Sequence, residues 1–177
     1  MKPVIFMKHI FWGLVFIFFH FRINGIDLLP DFLGYLFVSF GLYFLAEKSI
    51  HFKRALCCST ALFLMQLVHL FTFIGIRFDL LVYLILDFLS VFTILLMLYF
   101  IVNGLKDLEA QRLLKMNTKI LMNVWFVQAV SQTAGFLLNF TFNEFAYMLS
   151  AFAAMITMAA NLIFLFYFYR ARKLMNV

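Results

Sequence analysis

Asp87 is the one acidic residue deep within an apolar run of this sequence, and three- and four-residue helical spacing puts it on a face with Ser90 and Tyr83. An ionisable group in lipid is costly and is usually turned toward a partner or water. Gln66 and His69 share a face in an earlier run, as do Gln128, Ser131, Gln132 and Asn139 in a later one. At 1.5 Å of rise per residue, Asp87, His69 and Gln132 each lie roughly 10 to 12 Å below the same surface. His20 joins them if the first run crosses fully. One expectation is therefore an outward-open solute site lined by Asp87, His69, Gln66, Gln128 and Gln132. There a neutral imidazole beside a desolvated carboxyl exchanges a proton near neutral pH, as proton-coupled carriers require. The other is that these groups bond one another and hold helices together, each contact worth about 0.6 kcal/mol.

A second polar cluster runs from Arg22 to Tyr35. Asn24-Gly25 suits a turn with positive φ, Pro30 ends a short extended or helical piece, and Asp31 caps the helix that follows. Asp27 has no such local duty. It either pairs with Arg22 across the turn, worth about 0 to 1 kcal/mol at a wet interface, or faces a cation or substrate amine together with Asp31. The adjacent Cys57 and Cys58 lack metal or disulfide spacing, and the histidines stand far apart at 9, 20, 51 and 69. No nucleophile elbow, zinc helix or phosphate loop occurs, which disfavours an enzyme; no metal and no cofactor is expected.

The elements that carry these residues follow from composition. Hydrophobic residues make up 66% of the 177 and charged residues 12%, against roughly 45–50% and about 25% in soluble domains, so no water-facing surface can be built. A hydrocarbon core of about 30 Å needs roughly 20 apolar residues of helix. Six runs approach this, at 4–21, 32–46, 55–76, 80–102, 120–140 and 145–169. They are continuously apolar rather than alternating, as helices require and barrel strands do not. The expected fold is all-α: one integral membrane bundle over 1–177 with six transmembrane helices, or five if the first does not span. The first run lacks a cleavage site and reads as a retained helix.

Lys and Arg orient the bundle, because cytoplasmic loops retain them. With both termini inside, Lys2, Lys8, Lys48, Lys53, Arg54, Lys106, Arg112, Lys115, Lys119, Arg170, Arg172 and Lys173 fall on the inner side, and only Arg22 and Arg77 on the outer. The tyrosines fall near helix ends, where their hydroxyls reach the headgroup layer. The net charge of +6 thus reads as attraction to anionic lipid of the bilayer rather than to nucleic acid. Residues 103–119 read as a short interfacial helix with its apolar side in the headgroups. Together with 47–54, they are also candidates to dock a protein partner. Gly34, Gly41, Ala129, Thr133, Ala146, Ser150 and Ala154 mark tight helix packing.

The stretch Asn24-Gly25-Ile26-Asp27-Leu28-Leu29-Pro30-Asp31-Phe32-Leu33-Gly34-Tyr35 resembles the signature of a group of uncharacterised small membrane proteins of low-GC Gram-positive bacteria. The resemblance covers Phe19 to about Leu45. It implies a multi-pass protein of the bacterial plasma membrane and brings no reaction or ligand with it. Two classes of function remain. A small carrier or solute-binding subunit is similar in size, helix number and topology to the vitamin-binding subunits of energy-coupling-factor transporters, although the first helix here lacks the spaced small residues those subunits use. An accessory or regulatory protein would dock a partner through its basic inner loops.

Overall fold

A computed structural model of the chain describes residues 3–19, 22–23, 26–27, 31–73, 80–112, 115–138 and 144–175. Six helices carry the described chain: α1 (Pro3–Phe18), α2 (Asp31–Leu45), α3 (Ile50–Phe73), α4 (Leu80–Arg112), α5 (Thr118–Leu138) and α6 (Glu144–Leu174). Between α1 and α2, the two-residue strands β1 (Arg22–Ile23) and β2 (Ile26–Asp27) pair antiparallel, with Arg22 opposite Asp27. Among the described residues the protein is thus all-helical apart from this ladder; Asn24-Gly25, where a turn is expected, and Pro30 lie outside the described residues.

Each helix packs on its chain neighbours, and α1 closes on α6, so the six form a ring. Cross-links between neighbours run in opposite directions along the two chains, which makes every adjacent pair antiparallel. Phe6 stacks on Phe44 while Gly13 meets Gly34. Ser39 bonds Ser59 at 2.8 Å and Phe32 lies against Phe63. Gly104 abuts Phe52 while Ser90 donates to Met65 Sδ at 3.7 Å. Trp125 Nε1 donates to Leu95 O at 2.8 Å and Phe88 contacts Phe136. Gln128 bonds Asn161 while Ser131 meets Thr157. Phe18 against Phe164 and Phe11 against Tyr169 close the ring.

Among the described residues three helices are long and apolar enough to cross a membrane, over Leu84–Gln111, Thr118–Leu138 and Glu144–Leu174. The apolar helices α1 and α2 have 16 and 15 residues, about 24 and 22 Å of rise. The structure therefore supports three of the six expected spans by length and composition. α3 starts at Ile50, taking His51, Lys53 and Arg54 into its first turns, so most of 47–54 is helix rather than loop.

α4 corrects the expected interfacial helix. It continues unbroken to Arg112, and Leu105 and Leu108 are buried in the protein core instead of facing headgroups. Phe52, Met116 and Met175 are buried in the same core, so the apolar stripe of 103–112 has protein to cover it. Glu109 ties the end of α4 to the start of α5. Its carboxylate accepts the Met116 amide at 2.8 Å and the Thr118 hydroxyl. Asn117 sits between those two partners at φ 55°, a conformation asparagine tolerates better than most residues.

The packing of α1 on α2 rests on glycine. A Cβ on Gly13 would lie 2.6 Å from Gly34 O and 2.8 Å from Val38 N, both backbone atoms that cannot swing away. The same is true at Gly41, where it would lie 2.6 Å from Phe6 O. Gly34 and Gly41 thus pack closely as their sequence suggested, and Gly13 is their counterpart on α1. On α5 and α6 the tight seam is shifted. Ala146, Ala153 and Ala160 are buried at seven-residue spacing, whereas Thr133 and Ala154 are exposed and Ala129 is half-buried.

Gly13→Ala is expected to destabilise the folded chain by about 1–3 kcal/mol through overpacking. Gly135→Ala, whose Cβ would meet Ala153 at an ordinary 3.4 Å, is expected to shift stability by less than about 1 kcal/mol. Denaturant titration of both variants in micelles checks the contrast.

Candidate functional site

The interior of the ring is filled at one end and open at the other. Toward the chain termini, large side chains occupy it, among them Met7, Leu14, Phe52, Leu98, Phe164 and Phe168, all fully buried. At the opposite end a cavity of about 930 Å³ is lined by residues of all six helices. α1 contributes Ile17, Phe18 and the following Phe19; α2 contributes Asp31 and Tyr35; α3 contributes Gln66. α4 gives Ser90, Val91 and Ile94, and α5 gives Ser131, Gln132, Gly135 and Phe136. α6 gives Ser150, Ala151, Ala154, Thr157, Met158 and Asn161. Small residues of α5 and α6, namely Ser131, Gly135, Ser150, Ala151 and Ala154, leave room at this level.

Of the residues expected to form the site, Gln66 and Gln132 are brought together in this lining. Gln128 stands one hydrogen bond behind it. It is fully buried, and its Nε2 donates to Asn161 Oδ1 at 2.6 Å. Gln128 Oε1 is buried with no hydrogen-bond partner among the described residues. Asp87 is not in the lining. It lies exposed on α4, while Ser90, three residues on, lines the cavity. Three residues turn a helix by about 300°, so the two side chains diverge by roughly 60°. That angle separates the cavity from the exterior.

The His69 side chain lies outside the described residues, as do His20, Asn139 and the side chain of Asp27. Asp31 enters the cavity lining from the first residue of α2. Tyr35 is buried at 4% exposure, so it is a tyrosine of the ring interior, whereas Tyr43, Tyr147 and Tyr169 are exposed near helix ends.

Asn161 and Thr157 were missed. The signal was present: Ser150, Thr157 and Asn161 recur at seven- and four-residue spacing, which is one helical face. Asn161 lies 17 residues beyond Glu144, about 26 Å along α6. The polar lining therefore runs much deeper than the 10 to 12 Å expected of it.

Hydrogen bonds join α5 to α6 below the cavity. Ser131 and Thr157 lie 2.8 Å apart and share a hydrogen bond to which one of them gives its proton, while the other donates to its own helix, Ser131 to Val127 O at 2.8 Å or Thr157 to Ala153 O at 2.9 Å. Among the described residues no group of His, Cys, Asp and Glu could hold a metal ion, and Cys57 and Cys58 are free thiols.

Removing one partner of the Gln128–Asn161 pair strands the other. The losses of Gln128→Leu and Asn161→Leu taken singly are expected to add up to more than the loss of the double variant, with a coupling of about 0.6 to 1.7 kcal/mol. A double-mutant cycle on unfolding in micelles measures it, and zero coupling would deny the seam a role in joining α5 to α6.

This chain matches no family model, no curated protein and no solved structure, so its own residues and geometry carry the functional argument.

Proposed function

We propose that this chain is a multi-pass membrane protein that takes a small polar solute into the cavity of its helix ring from the outer side, as a carrier or as the solute-binding subunit of one. The observation that carries the reading is the inversion of polarity. The surface of the ring is studded with exposed apolar side chains, such as Phe40, Phe88, Phe126, Phe152 and Phe166, while hydroxyls and carboxamides from five helices line a cavity large enough for a metabolite.

In this reading all six helices cross a bacterial plasma membrane, with both termini in the cytoplasm. The short α1 and α2 are accommodated by local thinning and by flanking side chains that reach the interface; Lys8, exposed near the start of α1, suits that task. At the same end α4 and α6 overshoot the hydrocarbon. Lys106, Lys115, Lys119, Arg170 and Lys173 are exposed there and meet anionic headgroups. Arg172 lies over the rings of Phe11 and Tyr169, at 5.3 and 4.7 Å, its stem on apolar surface and its charge toward the interface. A second reading, an accessory protein docking a partner at this basic end, is favoured by the exposure of Lys48, Lys53 and Arg54 beside Lys106.

Orientation is tested with single cysteines in a chain lacking Cys57 and Cys58. An impermeant maleimide is expected to label Glu144→Cys on intact cells, and Lys53→Cys only after permeabilisation; the reverse pattern overturns the topology. Solute binding is tested by thermal unfolding of the purified chain against a metabolite library. A ligand at one hundred times its dissociation constant adds about 2.7 kcal/mol. The gain is expected to vanish in Ala154→Phe, which fills the cavity. A flat response across the library would leave partner docking as the better reading.

A further inference from the structure

Carboxamides from three helices line the cavity: Gln66 of α3, Gln132 of α5 and Asn161 of α6. Contacts between neighbouring helices set their heights. Met65 meets Ser90, and Phe88 meets Phe136, so Gln66 and Gln132 lie within about one helical turn of each other, roughly 5 Å. Ser131 pairs with Thr157, which puts Asn161 about 7 Å deeper than Gln132. In the order of the ring α4 separates α3 from α5, and α6 stands opposite α3, so Gln66 is across the interior from the other two.

Much of the bonding capacity of these groups is open. Among the described residues the half-buried Gln66 and Gln132 side chains make no hydrogen bond. Asn161 accepts from Gln128 Nε2 through Oδ1, which leaves its own N–H groups for a guest. A carboxamide presents a donor and an acceptor side by side in one plane. A carboxylate satisfies its N–H and strands its C=O, and a cation does the reverse. Both halves are met only by a guest edge of the same kind, donor beside acceptor, as when glutamine or asparagine reads the edge of adenine. Close to the carboxamides stand the rings of Phe18, Phe19 and Phe136, apolar surface on which a flat ring packs in offset or edge-on geometry.

We infer that the cavity takes an aromatic ring bearing an amide edge, an N–H donor next to a carbonyl or ring-nitrogen acceptor: an aromatic carboxamide or a nitrogen heterocycle. The edge is gripped between Gln66 and Gln132, and the ring lies against the phenylalanines. This rests on the solute-binding reading and adds the hydrogen-bonding pattern of the guest.

Four probes of nearly one shape separate the patterns. Benzamide carries donor and acceptor, acetophenone a neutral acceptor alone, benzamidinium donors alone and benzoate acceptors alone. Each is titrated against the purified full chain with thermal unfolding as the readout. Benzamide is expected to bind tightest, about tenfold ahead of acetophenone, because the ketone leaves a carboxamide oxygen of the lining unpaired. Gln66→Leu and Gln132→Leu are each expected to weaken benzamide by about tenfold and to narrow its lead over acetophenone. If acetophenone binds as well as benzamide and Ala154→Phe abolishes both, the solute cavity stands and the amide assignment falls. A charged isostere that binds tighter, a lead that neither leucine variant narrows, or silence from all four probes likewise overturns it. In the last case the metabolite library above decides separately whether any solute binds. Should the leucine variants fail to fold, the rank order of the four probes on the unaltered chain decides the inference.

Discussion

With apolar side chains covering its outer surface, the interior of the ring is the place left for groups that need a polar partner. In lipid there is no hydrophobic force to press one helix onto the next, and association depends on close packing and on hydrogen bonds between helices. The structure uses the two devices in different sectors. α1 and α2 approach through Gly13, Gly34 and Gly41 until backbone meets backbone. α5 and α6 are joined by Gln128 with Asn161 and Ser131 with Thr157, on a helix whose Ala146, Ala153 and Ala160 are buried. The cavity lies beside the second sector, where small and polar residues leave the ring unfilled.

The end that carries the termini is built differently. Here the core is dense with Phe, Met and Leu, and the connections are held by acidic side chains. Asp107 accepts the hydroxyl of Ser49, linking the start of α3 to α4, and Glu109 grips the turn into α5. Gln111 Nε2 reaches Lys48 O at 3.4 Å. These carboxylates act as local struts, while Lys48, Lys53, Arg54, Lys106 and Arg170 are exposed around them, as is Glu47. One end of the ring is therefore densely packed and the other hollow.

Much of this was legible beforehand. The six apolar runs carry the six helices of the described residues. Boundaries were less legible where charge and helix coincide. Residues 103–112 alternate Leu with Lys, Asp and Glu, a pattern that fits a helix lying in an interface as well as one whose apolar stripe is covered by Phe52, Met116 and Met175. Composition cannot tell those apart, because the stripe is the same and only its partner differs.

The site shows the same division. Sequence by itself determined the class of the protein, the number of its helices and the stock of polar residues from which an interior could be built, since these depend on residue type and on 3.6-residue periodicity alone. Tertiary structure decided which of those residues meet. Spacing defines a face relative to a helix's own axis, but the rotation of that axis against two neighbours comes from packing, and a difference of about 60° was enough to bring Ser90 into the cavity and leave Asp87 outside it. Asn161, far along α6 and unremarkable by depth, entered because α6 turns the face shared by Ser150 and Thr157 inward, a rotation that packing alone sets.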